Sequence, residues 1–221
     1  MRDTFEKLVN DLKVDLLKLG TLTGRTIMDG VEALRTRDRV LAQSLIDHDE
    51  EINRLRYDIE ERSYELIATQ QPLASDLRDI LSILLIAIEL ERIADHSKNL
   101  GEIVIHMGNE PLLKPLIDIP RMAETCESML NQALEAFSRK DAVLGRAVCA
   151  RDDEIDNLYK QIFRELMIYV MEDSRTVNRA MNLLFAAHNL ERIGDRITNI
   201  GERVIYAATG KLEELNVDLP R

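Results

Sequence analysis

Acidic pairs with one spacing stand at equivalent places in the two halves of this chain. Glu91 and Asp95 are four residues apart, as are Glu191 and Asp195, and the second pair follows the first by 100 residues. Residues four apart on a helix share one face with Cβ atoms about 6 Å apart, so both carboxylates can reach one cation. Hard cations such as Mg²⁺, Ca²⁺, Mn²⁺ and iron prefer such oxygen ligands. The spacing therefore indicates a candidate metal or cation site in each half.

A second set of polar residues precedes each pair. Asp152 and Asp156 repeat the spacing in the second half, and the first half has Asp49 and Asn53 at matching places. If consecutive helices run antiparallel, four carboxylates converge in the second half. In the first half one carboxylate is replaced by a neutral amide, which is a weaker ligand. A solvated acidic face, in which neighbouring arginines form salt bridges, is the alternative interpretation.

Residues that would support catalysis are scarce, so we expect no catalytic site. None of the four histidines has a glutamate three residues before it, as a ferritin-like di-metal oxidase requires. The phosphate-cradling GxxxxGK[ST], HExxH and GxSxG patterns do not occur. Cys126 and Cys149 lie on amphipathic segments and are interpreted as small core residues. The prediction is a protein that is not an enzyme. A carboxylate-rich metal-dependent enzyme and a purely structural helical scaffold remain open as alternatives.

Composition excludes several classes of protein. The 221 residues are 45% hydrophobic and 31% charged, which is typical of a globular chain and argues against disorder. A net charge of −11 without a basic block argues against nucleic-acid binding. No apolar run approaches the roughly 20 residues of a membrane helix, so contact with a membrane is expected to be peripheral at most. Two cysteines and an N-terminus unlike a secretory signal favour a cytoplasmic protein.

The hydrophobic pattern predicts an all-α fold. Apolar residues recur every three or four positions, and no segment alternates as a half-buried strand would. Gly, Pro and capping residues divide the chain into six long helices. The six helices are expected at about 3–37, 38–71, 75–108, 120–140, 141–171 and 176–209. The expected N-caps are Asp38 for the second helix, Ser75 or Asp76 for the third and Asp141 for the fifth. Pro120 is expected to start the fourth helix, and Gly108 and Gly210 to end the third and sixth.

Helices three and six carry an internal repeat. Ten of the 19 residues from 88 to 106 recur at 188–206, and a second match at an offset of 103 pairs 49–55 with 152–158. The chain is therefore predicted to form two tandem three-helix bundles. The expected domains are a first bundle at 1–108, a Pro-rich linker at 109–119, a second bundle at 120–212 and a tail at 213–221.

The motif Leu-Glu-Arg-Ile-(Ala/Gly)-Asp at 90–95 and 190–195 resembles the PhoU family of phosphate-transport accessory and regulatory proteins. The segments 71–78 and 165–170 add to the resemblance, which covers about residues 3 to 212. It implies a cytoplasmic homodimer that acts as a negative regulator of phosphate-starvation signalling and of phosphate uptake. It further implies an adaptor between the ATPase subunit of the phosphate-specific ABC transporter and a phosphate sensor histidine kinase.

The same resemblance implies a cofactor. Members of the family carry multinuclear metal clusters, of iron or zinc, on paired acidic motifs. Carried over by position, the metal ligands would be Glu91, Asp95, Glu191, Asp195, Asp152, Asp156 and Asp49. Asn53 departs from the acidic pattern, which implies a weaker or smaller cluster in the first half.

Overall fold

The described part of the chain folds into helices, as the hydrophobic pattern predicts. A computed structural model describes residues 2–215, with side chains from residue 4 onward. Its helices are α1 (Arg2–Thr36), α2 (Arg39–Gln70), α3 (Ala74–Met107), α4 (Asp118–Arg139), α5 (Ala142–Cys149), α6 (Asp152–Glu172) and α7 (Val177–Thr209), with a short 3₁₀ turn at Ser174–Thr176. Within 2–215 there is no strand. Residues 216–221 of the predicted tail lie outside the described residues.

Most predicted helix ends agree with the structure, and two differ. Asp38 and Asp141 cap α2 and α5, each accepting hydrogen bonds from the backbone N–H groups two and three residues ahead. The expected cap of α3 at Ser75 or Asp76 is wrong, because the helix begins at Ala74 without a side-chain cap. Helix α4 begins at Asp118, two residues before the expected start at Pro120. Proline is tolerated in this first turn because the N–H that it lacks would have no partner within the helix.

The predicted fifth helix is divided into α5 and α6, so the described chain has seven α-helices rather than six. Helix α5 crosses α7 closely, and a Cβ added to Gly201 would lie 3.1 Å from the carbonyl oxygen of Gly145. The break follows at once, where the N–H of Arg151 bonds the carbonyl of Val148, three residues back. Helix α6 then begins at Asp152 with three acidic residues in its first turn, the end of a helix that favours negative charge.

Two bundles share one core. Helices α1, α2 and α3 pack together, as do α4, α5, α6 and α7, and the bundles meet where α3 contacts α7 and α1 contacts α4. The buried apolar residues form a continuous cluster through both bundles. Gly20 of α1 lies against Leu134 of α4, where the absence of a side chain allows the two helices to approach closely.

The sequence predicts no membrane-spanning helix. Among residues 2–215, no helix combines the length and the apolar character needed to cross a bilayer.

Candidate metal centre

The second acidic cluster, defined here as Asp152, Asp156, Glu191 and Asp195, lies between α6 and α7. Its four side chains are all partly exposed. Helix α6 approaches α7 at Gly194, where an added Cβ would lie 2.8 Å from Asp152 Oδ1 and 2.8 Å from Ile155 Cδ1. Glycine at this position therefore provides the space that the Asp152 carboxylate occupies.

Negative charges dominate the surroundings of Asp152. Burial and the neighbouring carboxylates raise the pKa of Asp152 to about 7, with Asp195, Asp156 and Glu191 contributing in that order after burial. A carboxylate that is desolvated among like charges favours either a proton or a bound cation.

Cationic side chains do approach this cluster, each from the same helix as its acidic partner. Arg192 pairs with Asp195 at 2.6 Å, and Lys160 pairs with Asp156 at 3.1 Å. His188 Nδ1 lies 3.4 Å from Glu191. These are pairs between residues three or four apart with well-exposed cationic groups, so they contribute little to stability and occupy the rim of the cluster.

The first acidic cluster, defined as Asp49, Glu91, Asp95 and Glu102, lies between α2 and α3. Lys98 of α3 reaches Asp49 of α2 at 3.0 Å, and Asn53 donates to the same Asp49 oxygen at 3.1 Å. The other oxygen of Asp49 is buried without a hydrogen-bond partner.

Arg56 of α2 brings a second cation to the first cluster. Its guanidinium lies 3.8 Å from Glu91 of α3 and also pairs with Glu60. Burial and the Asp95 carboxylate raise the pKa of Glu91, while Arg56 opposes that rise. The first cluster therefore contains cations that bridge its two helices.

The predicted ligands come together in two places, but their side chains do not form a coordination sphere. In the described part of the chain, no group of three or more His, Cys, Asp or Glu side chains is arranged to hold a metal ion. Two observations nevertheless fit a cation at the second cluster. Gly194 provides the space beside Asp152, and the buried Thr198 Oγ1, one turn after Asp195, has no hydrogen-bond partner. The donor set consists entirely of oxygen and suits a hard cation.

Sequence reasoning missed the polar contact between α3 and α7. Asn189 Oδ1 accepts a hydrogen bond from Asn99 at 3.0 Å and lies 3.0 Å from His96 Nδ1. At the equivalent position of the first repeat, Glu89 accepts from Asn199 at 3.3 Å and from Arg196 at 3.4 Å. Asn99 and Asn199 were visible as repeat identities, but only the packing of the two repeats gives them partners.

The fold and the clusters define an all-helical tandem-repeat protein with an acidic cluster on equivalent helices of each repeat. The model of the PhoU domain matches residues 16–104 and 119–204. The chain belongs to the PhoU family, as the motif at 90–95 and 190–195 predicts.

The chain is similar to proteins named PhoU along nearly its whole length. A Clostridium acetobutylicum protein named phosphate-specific transport system accessory protein PhoU homolog is 37% identical over 216 residues, covering 97% of this chain and 99% of its own length. The crystal structure of PhoU from Pseudomonas aeruginosa is similar with a TM-score of 0.89 at 36% identity, covering 94% of this chain and 100% of that one. The phosphate transport system regulatory protein PhoU from Streptococcus pneumoniae has a TM-score of 0.87 at 31% identity, with 97% and 100% covered.

Proposed function

We propose that this chain regulates phosphate transport by binding other proteins rather than by catalysis. The observation that carries the proposal is the pair of PhoU domains, which together occupy most of the chain. Similar proteins of matching length are named as accessory or regulatory proteins of a phosphate transport system. The proposed role is negative regulation of phosphate uptake and of phosphate-starvation signalling.

The proposed partners are two components at the cytoplasmic face of the membrane. One is the ATPase subunit of the phosphate-specific ABC transporter, and the other is a phosphate sensor histidine kinase. The chain would act as a homodimeric adaptor between them. Its long helices support this role because they present extended, highly charged surfaces around a continuous core.

A metal at the second acidic cluster is part of this proposal. Asp152 and Asp156 of α6 and Glu191 and Asp195 of α7 would hold it. When bound, the metal would neutralise carboxylates that otherwise repel one another. The chain itself contributes the space at Gly194 and, one turn after Asp195, the buried Thr198 hydroxyl without a hydrogen-bond partner. The identity of the metal is proposed as iron or zinc.

Binding to the transporter tests the adaptor role. The full chain, untagged, is mixed with the purified ATPase subunit from the same genome and with the cytoplasmic part of the kinase, and binding is measured by interferometry. We expect both to bind. Binding to neither in high phosphate would contradict the adaptor role. Turnover of phosphate esters that requires metal and is abolished by Glu191→Gln would instead indicate an enzyme.

Metal analysis tests the second cluster. Metal content is measured by mass spectrometry for the wild type and for a Glu191→Gln/Asp195→Asn variant, and we expect the variant to lose the metal. The matched control is Glu124→Gln/Glu135→Gln, which removes two acids from α4 away from the cluster and should retain the metal. Metal-free wild type that still binds its transporter would make the cluster part of a partner surface.

A further inference from the structure

The two acidic clusters differ at two equivalent positions. Lys98 of the first repeat corresponds to Thr198, and Arg56 corresponds to Tyr159. The four carboxylates of the first cluster thus have cations at both positions, whereas the four carboxylates of the second have uncharged residues there. The clusters occupy equivalent places in the fold but differ in charge.

Lys98 bridges the two helices that carry the first cluster. Its ammonium belongs to α3 and contacts Asp49 of α2 at 3.0 Å, so it joins the two helices across the first cluster. Its side chain is 29% exposed and that of Asp49 is 12% exposed, which makes this pair more enclosed than the Lys160–Asp156 pair of the second cluster. A lysine ammonium donates up to three hydrogen bonds and accepts none, so Lys98 satisfies Asp49 Oδ2 as a cation would, while Asp49 Oδ1 is buried without a hydrogen-bond partner.

Arg56 joins the same two helices from the opposite direction. It belongs to α2, its side chain is 16% exposed, and it lies 3.8 Å from Glu91 of α3. A metal ion entering the first cluster would meet two positive charges already close to its ligands and would compete with Lys98 for Asp49. Both effects oppose binding.

We infer that Lys98, supported by Arg56, takes the place of a metal ion in the first repeat, so that only the second repeat binds metal. The inference rests on the metal site proposed for the second cluster. It assigns the two repeats different roles. The first is held together by a cation of the chain itself and is independent of metal supply, whereas the second responds to it.

An exchange of the equivalent residues tests the inference. Mn²⁺ binding to full-length, metal-stripped protein is measured by calorimetry for the wild type, Lys98→Thr and Thr198→Lys. Lys98→Thr should create a second class of Mn²⁺ sites that is absent in the wild type. Thr198→Lys should weaken binding at the second cluster by about tenfold or more. Lys98→Arg keeps the positive charge and should retain the wild-type number of sites.

Variants that lack the second cluster allow Mn²⁺ binding at the first cluster to be measured alone. In an Asp152→Asn/Asp195→Asn background we expect Mn²⁺ binding to disappear and then to return when Lys98→Thr is added. Lys98→Gln replaces the threonine variant if circular dichroism shows that the latter is unfolded. Sites gained in either variant support the inference, whereas a folded variant that gains none overturns it.

Two further outcomes separate this inference from the proposed function. Metal that survives Asp152→Asn/Asp195→Asn but is lost with Asp49→Asn/Glu91→Gln would show a loaded first repeat and overturn the inference. Wild type that binds no Mn²⁺ would contradict the metal site proposed for the second cluster. Gain or absence of sites in Lys98→Thr would still decide whether Lys98 excludes metal from the first.

Discussion

The two repeats carry their acidic clusters at equivalent sequence positions but have different charges beside them. In the first, Lys98 and Arg56 join α2 to α3 through Asp49 and Glu91. In the second, the equivalent positions are uncharged, and burial together with the neighbouring carboxylates raises the pKa of Asp152 to about 7. The comparison shows that duplication can retain the positions of a set of ligands while substitutions beside them change its chemistry.

The helices that carry these clusters differ as well. Helix α2 is continuous from Arg39 to Gln70, whereas its counterpart is divided into α5 and α6. As a result Asp49 lies within a helix and Asp152 begins one. Asp152 and Asp156, four residues apart, still share one face of α6.

The largest expected effect comes from equivalent core residues. Leu90→Ala and Leu190→Ala each remove a fully buried side chain and should lower the free energy of unfolding by about 3 kcal/mol. Because one core runs through both bundles, each variant should unfold in a single transition, measured by calorimetry and circular dichroism. Two separate transitions would show that the repeats are independent folding units.

Equivalent glycines at the helix crossings should give the next largest effect. A Cβ at residue 101 would lie 2.9 Å from the carbonyl oxygen of Ala42, so Gly101→Ala should lower the free energy of unfolding by about 2 kcal/mol. Gly201→Ala should cost less, because its nearest neighbour is the Cys149 side chain. Urea unfolding measures both, and Cys149→Ala should recover part of the loss in Gly201→Ala. Equal losses without such recovery would contradict this account.

Exchange at positions 94 and 194 tests the space beside the second cluster. In Gly194→Ala the new Cβ meets Asp152 and Ile155, so Mn²⁺ should bind about tenfold more weakly. Ala94→Gly is the matched control, since it should leave Mn²⁺ binding unchanged and cost about 1 kcal/mol of stability through helix propensity. Calorimetric titration and thermal unfolding provide the two readouts. Unchanged Mn²⁺ binding in Gly194→Ala would separate Gly194 from the metal site.

The smallest expected effect concerns the contact between repeats. Asn99→Ala and Asn199→Ala each remove one hydrogen bond between α3 and α7 and should lower the free energy of unfolding by about 0.5 kcal/mol. A double-mutant cycle of Asn99→Ala with Asn189→Ala measures the coupling directly, and Asn199→Ala with Glu89→Ala is its counterpart. Additive losses in both cycles would mean that these contacts do not hold the repeats together.

Much of the fold follows from local sequence signals. The period of the apolar residues predicts helices, and Asp38 and Asp141 mark two helix starts because their carboxylates can accept the unpaired N–H groups of a first turn. The same reasoning misplaced the start of α3 and joined α5 to α6. No local signal marks the second of these features, since Ala150 and Arg151 are compatible with a continuous helix although the turn lies there.

The candidate site could likewise be predicted from the sequence only in part. Spacing along one helix placed Glu91 with Asp95 and Glu191 with Asp195, because residues four apart share a face whatever surrounds them. The side chains that change the character of each cluster come from another helix or from a neighbouring turn. Lys98 of α3 contacts Asp49 of α2, and Gly194 of α7 lies against Asp152 of α6. A single helical pattern contains no information on such distances.

Residue type, periodicity and identity along the chain are enough to predict a helical protein with two repeated halves and acidic pairs at equivalent places. Helix packing adds that one core joins the repeats, that Asn99 and Asn199 have partners in the opposite repeat, and that Lys98 lies against Asp49. The physical reason is that a charge acts on whatever lies within a few ångströms, and helix packing sets those neighbours.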